Sequence, residues 1–430
     1  MQSDFDAIIV GAGPAGASAA ILLASAGWSV VLIEKQMFPR RKVCGECIAA
    51  SNLPLLDALG IGAEFIAQAG PELREVALMR GKRTVYAKLP AAKSAKHPWG
   101  RALGREKLDT LLLERARAAG AMVLQPYSVQ DLRGTAGNYQ CAVRKAGSQQ
   151  QMMLKAPVAI LAHGSWEPLP AARAQRPKHR ASDLLAFKAN FRGANLPAGL
   201  LGVLAFDGGY GGIVLGDDAL VTLACCIRVD RLESLRSAAP GIAAGNVVEA
   251  MLRRECTGVA EALITATRCG AWLASGPLAP GVRLQSSDSA FCIGNAAGEA
   301  HPIIGEGMSM AMQSAWLLCA HLIRAQRQAG AANDGTWQRD VHRLYASEWR
   351  RQFAGRLRLA AAFSHLAMRP VTSRMLFAAL KLWPALLTRG AVWGGKIRCA
   401  PAPGLIAELS TGIEISSKNS SFANPPGALP

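Results

Sequence analysis

Three glycines near the start of the chain, Gly11, Gly13 and Gly16, have the spacing of a phosphate-binding turn. In such a turn the first glycine permits the tight bend, the second lets the backbone approach a pyrophosphate, and the third lets helix and strand pack closely. The free amides at the start of the helix would face the phosphates with the positive end of its dipole. Glu34 ends the next apolar run, where a carboxylate would accept hydrogen bonds from ribose hydroxyls. The pattern predicts a site for an adenine dinucleotide and leaves its identity open.

Two cysteines follow this unit, Cys44 and Cys47, with the spacing of a redox-active pair. In the glutathione-reductase class such a pair accompanies a second glycine turn for the nicotinamide. The only mid-chain candidate, residues 208–212, runs into a strand-like segment with no helix to hold a phosphate. Cys44 is therefore either close to the reacting centre or a small buried residue. No Cys or His pair stands at ligand spacing from these two, so we expect no metal site.

His301 is a third candidate for chemistry, because it precedes Pro302 and a glycine-rich helix start at 305–307. An imidazole changes its charge near neutral pH, so His301 would donate a proton to a substrate or cofactor. Packing within a loop is the alternative. The amides at the start of the following helix would stabilise a negative charge.

Apolar periodicity predicts the elements that position these residues. Residues 5–34 are expected to form strand, helix and strand, and residues 105–119 an amphipathic helix. Short alternating segments between 166 and 285 favour an antiparallel sheet with one face on a core. The other predicted strands lie at 74–89, 121–126, 139–144 and 152–161, and the other predicted helices at 245–255, 306–325 and 336–398.

The composition is that of a globular protein of more than one core: 430 residues, 50% of them hydrophobic and 18% charged. No apolar run is long enough to span a bilayer and no secretory signal is visible, so we expect a cytoplasmic protein. The formal net charge of +18 favours an acidic partner, such as an anionic cofactor, an acidic carrier protein or a lipid surface. No nucleic-acid recognition motif accompanies it, and we expect no nucleic-acid partner.

Four spaced motifs together resemble the flavoprotein monooxygenase superfamily that includes p-hydroxybenzoate hydroxylase. They are the glycine turn with Glu34, the segment 38–46, the helix start at Arg105, and the segment 294–307. Within the superfamily the motifs are most similar to the geranylgeranyl-reductase-like branch, with flavin-dependent halogenases as cousins. The resemblance covers about residues 5–325 and implies FAD as cofactor and NAD(P)H as a transient reductant.

The resemblance also implies which residues contact FAD. These are Gly11, Gly13, Pro14, Ala15, Gly16, Glu34, Lys35, Arg41, Cys44, Gly45, Arg105, Gly294, Asn295, Pro302, Gly305, Gly307 and Met308. Asn295 stands where the family usually has Asp, and its amide oxygen can still accept a hydrogen bond. His163 also replaces an Asp, and we expect it to be structural. The expected catalytic residues are His301 and Cys44.

The fold implied by this resemblance is α/β, or α+β overall. A Rossmann-like FAD-binding domain over 1–330 would be interleaved with a mostly antiparallel substrate domain from about 70–95 and 166–285. A C-terminal helical region would span 331–400, and residues 401–430, rich in Ser, Pro, Asn and Gly, would be a flexible tail.

For the activity, we expect an FAD-dependent oxidoreductase, with NAD(P)H-driven hydroxylation of a hydrophobic or aromatic substrate favoured. The aromatic motif of prenyl reductases is replaced by Tyr210-Gly-Gly-Ile-Val-Leu, and the halogenase W-x-W-x-I-P signature is absent. Reduction of an activated double bond stays open, because the Cys44-Gly45 pair matches the reductase-like branch. A non-catalytic docking flavoprotein is the third alternative. The apolar and basic region 349–398 would contact a carrier protein or a membrane, or simply pack on the FAD-binding domain.

Overall fold

The computed structural model describes residues 2–164, 180–284, 289–329 and 335–410. Its strands are β1 Gln2–Asp4, β2 Ala7–Val10, β3 Val30–Ile33, β4 Cys47–Ile48, β5 Glu75–Arg80, β6 Arg83–Lys88, β7 Arg101–Ala102, β8 Met122–Leu124, β9 Tyr127–Thr135, β10 Asn138–Lys145, β11 Gln151–Ala156, β12 Val158–Leu161, β13 Leu184–Arg192, β14 Leu200–Phe206, β15 Gly209–Leu215, β16 Val221–Arg228, β17 Thr267–Arg268, β18 Leu273–Ser275, β19 Gly281–Val282, β20 Phe291–Cys292 and β21 Gly298–Glu299. Its α-helices are α1 Pro14–Ser25, α2 Leu53–Ala58, α3 Gly62–Gln68, α4 Arg105–Ala118, α5 Val229–Ser237, α6 Ala244–Glu255, α7 Thr257–Ala262, α8 Gly307–Ala329, α9 Thr336–Met368, α10 Pro370–Leu382 and α11 Ala385–Gly394.

A five-stranded parallel sheet in the order β20-β12-β2-β3-β8 forms the first core. Its central strands are buried along their whole length, as expected for a parallel sheet that is covered on both faces. Helix α1 connects β2 to β3 and packs against α4 and α8. The strand-turn-helix-strand unit predicted for residues 5–34 is confirmed.

The second core lies on a larger, mostly antiparallel sheet in the order β17-β13-β16-β15-β14-β5-β6, with β18 beside β13. Strands β5 and β6 come from the segment before α4, and the other strands come from 184–275, so two separate parts of the chain build one sheet. Helices α6 and α7 cover one face with Val248, Met251 and Val259. The predicted α/β fold with parallel and antiparallel sheets is confirmed.

The single strand predicted at 152–161 is two strands in different sheets, so this expectation was wrong. β11 pairs antiparallel with β10 in a four-stranded sheet, whereas β12 pairs parallel with β2 in the central sheet. Pro157 separates the two strands, and it has no backbone N–H with which to continue a ladder. An apolar run alone does not show such a change of sheet.

The predicted helical region 336–398 consists of α9, α10 and α11, which are interrupted before Pro370 and at Pro384. Proline is compatible with the first turn of a helix and incompatible with its interior, so each one begins a new helix. Within the described ranges no single helix is long and apolar enough to cross a membrane; α10 and α11 together pass that test of length and composition, with a bend of 112° between them.

Residues 401–410 of the tail expected over 401–430 belong to the packed fold. Leu409 is buried in the first core, and Glu408 forms an ion pair with Arg324 of α8. Residues 401–410 therefore pack against the first core. The remainder of the expected tail, 411–430, lies outside the described residues.

Candidate active site

One cavity of about 680 Å³ connects the parallel sheet to the large antiparallel sheet. At one end it is lined by the glycine turn and the segment 294–308. At the other end it lies between β5, β14 and β15 on one side and helices α10 and α11 on the other. The volume is within the range of small-molecule sites.

The three glycines of the turn have different reasons to be glycine. Gly11 has φ +102°, and a Cβ there would lie 2.6 Å from the Ala162 carbonyl oxygen. A Cβ on Gly16 would lie 1.9 Å from the carbonyl oxygen of Gly11, so any side chain would force helix and strand apart. A Cβ on Gly13 would meet only the Arg105 Nη2, at 3.6 Å. Gly11 and Gly16 thus shape the backbone, while Gly13 keeps the cavity open.

Glu34 ends β3 with its carboxylate facing the glycine turn. It accepts hydrogen bonds from the backbone N–H groups of Ala12 and Gln36, each at 3.0 Å. Arg40 Nη2 lies 3.5 Å from both Glu34 and the Asp109 carboxylate. The Nε and Nη1 atoms of Arg40 are buried and have no hydrogen-bond partner among the described residues. Two donors of a buried cation therefore remain for a ligand in the cavity.

Arg105 begins α4 and crosses the mouth of the glycine turn. Its guanidinium donates two hydrogen bonds to Asp109, both at 2.7 Å, in the bidentate arrangement that arginine and carboxylate favour. Burial opposes the charge of Arg105, but the Asp109 carboxylate outweighs it and raises the pKa of Arg105 above its ordinary value. The result is a fixed cation beside the turn.

Glu46 holds the loop that carries Cys44. Its backbone is left-handed, with φ +58°, and its buried carboxylate accepts hydrogen bonds from Lys188 Nζ, from Thr222 Oγ1 at 2.6 Å and from the Arg105 N–H at 3.0 Å. The Cys44 Sγ accepts a hydrogen bond from the Glu46 N–H at 3.3 Å. Because the Lys188 pairing is buried, this loop is fixed against the antiparallel sheet and the start of helix α4.

Cys44 and Cys47 are free thiols in different environments. Both line the cavity, but Cys44 is half-buried in the loop, whereas Cys47 is buried in strand β4. Burial raises the pKa of the Cys47 thiol to about 12, so this sulfur stays protonated at neutral pH. A protonated thiol is a poor partner for thiol–disulfide exchange, which argues against a dithiol mechanism.

The segment 294–308 forms the opposite wall. Gly294 and Gly305 are both left-handed, with φ +58° and +60°. Lys396, which follows α11, donates to the Gly305 carbonyl oxygen at 3.1 Å and lies 3.1 Å from Glu306 Oε1. Lys396 could not be predicted from the sequence, because no motif around it indicates a contact with residues some ninety positions earlier.

Fifteen of the residues expected at the cofactor line the cavity: Gly11, Gly13, Pro14, Ala15, Glu34, Lys35, Cys44, Gly45, Arg105, Gly294, Asn295, Pro302, Gly305, Gly307 and Met308. Gly16 lies behind the wall and shapes the turn. Arg41 lies outside the wall and is 3.8 Å from Glu106, while its neighbour Arg40 occupies the position expected for it.

His301 does not line the cavity and is not the neutral-pH acid that the sequence predicted. It is buried behind Tyr210, whose hydroxyl lies 3.2 Å from the His301 Nδ1. Burial, helped by His365 nearby, lowers the pKa of His301 to about 4, so the ring is uncharged at neutral pH. Tyr210 itself faces the cavity from β15, and burial raises the pKa of its phenol well above 10.

Tyr210 lies in the glycine-rich strand β15. In the sequence this segment showed only that the aromatic motif of prenyl reductases is replaced. A Cβ at Gly211 would lie 2.7 Å from the Ala224 carbonyl oxygen, so the strand packs tightly against β16. Gly211 and Gly212 line the cavity without filling it. The sequence pattern that could have predicted this hydroxyl is one tyrosine among glycines, because glycines leave space in front of a strand.

The chamber beside Tyr210 is apolar. Leu78, Val203 and Ala205 form its sheet side, and Leu376, Phe377 and Leu380 of α10 form the facing side. Such walls exclude water, and a polar group placed among them, such as the Tyr210 hydroxyl, would fix the orientation of a bound molecule.

A family model for an FAD-binding domain matches residues 4–197. The match covers a little under half of the chain and identifies FAD as the cofactor of this protein. The site fits FAD on its own geometry as well: the unpartnered donors of Arg40, the open face at Gly13 and the Glu34 carboxylate are what a dinucleotide requires.

Curated relatives of this flavoprotein align over part of their lengths. A tryptophan 2-halogenase of Chondromyces crocatus is 31% identical over 134 residues, which cover 31% of this chain and 24% of that protein. Conditioned medium factor receptor 1 of Dictyostelium discoideum is 25% identical over 75% of this chain and 64% of its own. Menaquinone reductase of Mycobacterium tuberculosis is 34% identical over 28% of each. The chain thus spans from a quarter to just under two thirds of these relatives.

Solved structures share the fold of this flavoprotein over most of its length. The myxobacterial chondrochloren halogenase CndH superposes with a TM-score of 0.71 at 19% identity, covering 96% of this chain and 97% of its own. PqsL, a probable FAD-dependent monooxygenase from Pseudomonas aeruginosa, superposes with a TM-score of 0.68 at 19% identity, and the superposition covers 87% of this chain and 100% of PqsL. A geranylgeranyl bacteriochlorophyll reductase-like protein from Thermoplasma acidophilum superposes with a TM-score of 0.64 at 16% identity, and the superposition covers 97% of this chain and 92% of that protein.

Proposed function

We propose that this flavoprotein is an FAD-dependent oxidoreductase that oxygenates a small hydrophobic or aromatic substrate, with NAD(P)H as transient reductant. The observation that carries the proposal is the single cavity that joins the glycine turn to the apolar chamber with Tyr210. A substrate in that chamber lies in the same enclosed space as a bound cofactor. No second dinucleotide turn is visible in the sequence, which favours a nicotinamide that leaves after each turnover.

The residues that would hold FAD are those of the two glycine segments and the two buried arginines. Arg40 and Arg105 would face the pyrophosphate, and Glu34 would accept hydrogen bonds from the adenosine ribose. The Gly307 amide at the start of α8, with Lys396 nearby on the Gly305 carbonyl oxygen, would stabilise a negative charge at the far end of the cofactor. When bound, FAD accepts a hydride and passes electrons to oxygen or to a double bond.

The residues around the chamber would orient the substrate, exclude water and provide a path for a proton. The apolar walls exclude water from the reacting centre. The Tyr210 hydroxyl would hydrogen-bond a carbonyl or hydroxyl of the substrate, since burial keeps the phenol protonated. His301 would hold that hydroxyl, and His365, which is exposed, lies with its ring centroid 6.0 Å from that of His301 on the way to solvent.

The test uses the full-length holoprotein, reduced by light and mixed with dissolved oxygen or, under nitrogen, with an allylic alkene such as phytol. We expect oxygen to reoxidise the protein faster than it reoxidises free reduced FAD. With NADPH and a panel of hydrophobic phenols, label from ¹⁸O₂ should appear in a product. The proposal fails if the alkene reoxidises the protein under nitrogen and oxygen does not exceed the free-FAD rate.

The second candidate, reduction of an activated double bond, is favoured by the Cys44-Gly45 loop at the cavity wall. Halogenation is represented among the relatives, and a bromide arm of the same experiment would reveal it as a brominated phenol. A non-catalytic flavoprotein would retain FAD and react with neither oxygen nor alkene. A carrier-tethered substrate is supported by one relative from Pseudomonas fluorescens. That protein is named as a chlorinase of 1H-pyrrole-2-carbonyl-[peptidyl-carrier protein].

A further inference from the structure

Helix α10 is apolar on both of its faces. Leu376, Phe377 and Leu380 point inward, where they line the cavity and join a small core. On the other face Val371 and Met375 are each 67% exposed and Leu382 is 71% exposed. A helix with apolar side chains on two opposite faces normally has both of these faces covered. Among the residues that the structure describes, none covers the outer face of α10.

Exposed tryptophans stand at the two ends of α11: Trp383, which directly follows α10, and Trp393, which also reaches the cavity wall. Trp383 is 63% exposed and Trp393 is 60% exposed, with Val392 beside it at 37%. Exposed aromatic side chains in such a cluster mark an interaction site more often than isolated ones do. Tryptophan is enriched at membrane–water interfaces, because its ring is apolar and its N–H is polar.

The charge of the same region has one sign. From Trp349 to Ala407 the sequence contains ten Lys and Arg residues and no Asp or Glu. Arg369, Arg374, Lys381 and Arg389 are exposed on α10, α11 and the residue that precedes α10. An apolar stripe flanked only by cations is complementary to a surface that is anionic outside and apolar beneath.

We infer that the outer face of α10 and α11 docks on an anionic lipid bilayer. The basic residues would lie at the headgroups, with Val371, Met375 and Leu382 in the interface below. The pair lies on the bilayer instead of crossing it, because the two helices bend by 112° and their inner faces already line the cavity. An acidic carrier protein would match the cations but would leave this apolar face without a partner. The inference holds for any reaction in the cavity, so it does not depend on the proposed function.

The experiment is flotation of the full-length holoprotein with vesicles of phosphatidylcholine alone or with one quarter phosphatidylglycerol. We expect binding to the anionic vesicles that weakens with salt. The triple variant Val371→Ser/Leu382→Ser/Trp383→Ser, none of whose positions lines the cavity, should bind at least about tenfold more weakly. The charge-neutralising variant Arg374→Gln/Lys381→Gln should bind roughly thirtyfold more weakly, since each basic residue near an anionic surface contributes about 1 kcal/mol.

The matched control is Ile264→Ser, which removes a side chain that is 76% exposed on a remote surface and should leave vesicle binding unchanged. FAD content and melting temperature of each variant show that the fold is intact. Failure of the wild type to float with anionic vesicles, or wild-type binding by the triple variant, would overturn the inference. Binding of an acidic carrier protein without vesicle binding would assign the surface to that partner. Because the readout is flotation, a negative result says nothing against the oxidoreductase.

Discussion

Lys396 Nζ lies 3.1 Å from Glu306 Oε1, and this ion pair ties the end of the helical region to the glycine loop at the cavity. Glu306 is fully buried, and neither of its oxygens meets hydrogen-bond geometry with a donor among the described residues. Lys396 is therefore the charge that the buried carboxylate depends on. Through it, residues beyond the FAD-binding domain contribute to the wall of the site.

Removing one member of this ion pair should leave the other as an unpaired charge in the interior. Lys396→Met is expected to lower the free energy of unfolding by about 3–5 kcal/mol, because it leaves a buried charge unpaired. The double variant Glu306→Gln/Lys396→Met should recover part of that loss. Urea unfolding measures both, with the exposed Lys82→Met as control. Equal stability of Lys396→Met and the wild type would contradict the pairing.

Arg40 and Arg41 form a matched pair of neighbouring cations. The Nε and Nη1 atoms of Arg40 are buried and find no hydrogen-bond partner in the described part of the chain, whereas Arg41 lies outside the cavity near Glu106. Arg40→Met should weaken FAD binding about tenfold to a hundredfold, the loss of one or two charge-assisted hydrogen bonds. Arg41→Met should change it little. Fluorescence titration of the apoprotein decides between them, and a larger effect at Arg41 would restore the sequence-based assignment.

Two glycines of the turn should fail in different ways. Gly13→Val is expected to fold but to purify without FAD, because the new side chain enters an open cavity. Gly16→Val should fail to fold or be strongly destabilised, since its Cβ would lie 1.9 Å from a carbonyl oxygen. Absorbance of bound flavin and circular dichroism separate the two outcomes, and Gly355→Ala in helix α9 is the control. A yellow, stoichiometric Gly13→Val protein would refute the cofactor site.

Tyr210→Phe removes the one hydroxyl that we place against the substrate. We expect FAD content and reoxidation by oxygen without substrate to be unchanged. The value of kcat/KM for an accepted substrate should fall about tenfold to a hundredfold, because a buried polar group loses its partner. If kcat/KM is unaffected while Cys226→Ser, a neighbouring change on the same wall, lowers it, Tyr210 has no such role.

His301 should make stability depend on pH in a defined window. Its folded-state pKa of about 4 lies below the ordinary value of 6.5, so the unfolded chain binds the extra proton between these values. The folded state therefore loses stability as pH falls from 6.5 to 4, by up to about 3 kcal/mol from this residue. His301→Gln should flatten that part of the pH profile in denaturant titrations. A variant whose profile parallels the wild type would show that His301 is not the cause.

The cofactor end of the site was largely predictable from the sequence. The glycine turn, Glu34 and the segment 294–308 are local patterns, and each carries its function in residues adjacent along the chain. Arg40 was missed in favour of Arg41 because two neighbouring arginines look alike until the fold buries one of them. The break at Pro157 was missed because an apolar run does not show which sheet it joins.

What the sequence by itself determined is the strand-turn-helix unit and the dinucleotide chemistry, since backbone conformation and close approach select glycine at fixed spacings. Only the tertiary structure decided that Tyr210 faces the chamber with an uncharged His301 behind it, and that Lys396 meets Glu306. These pairs are separated by about ninety residues. Their burial and charge state depend on which elements pack together, and no local pattern encodes that.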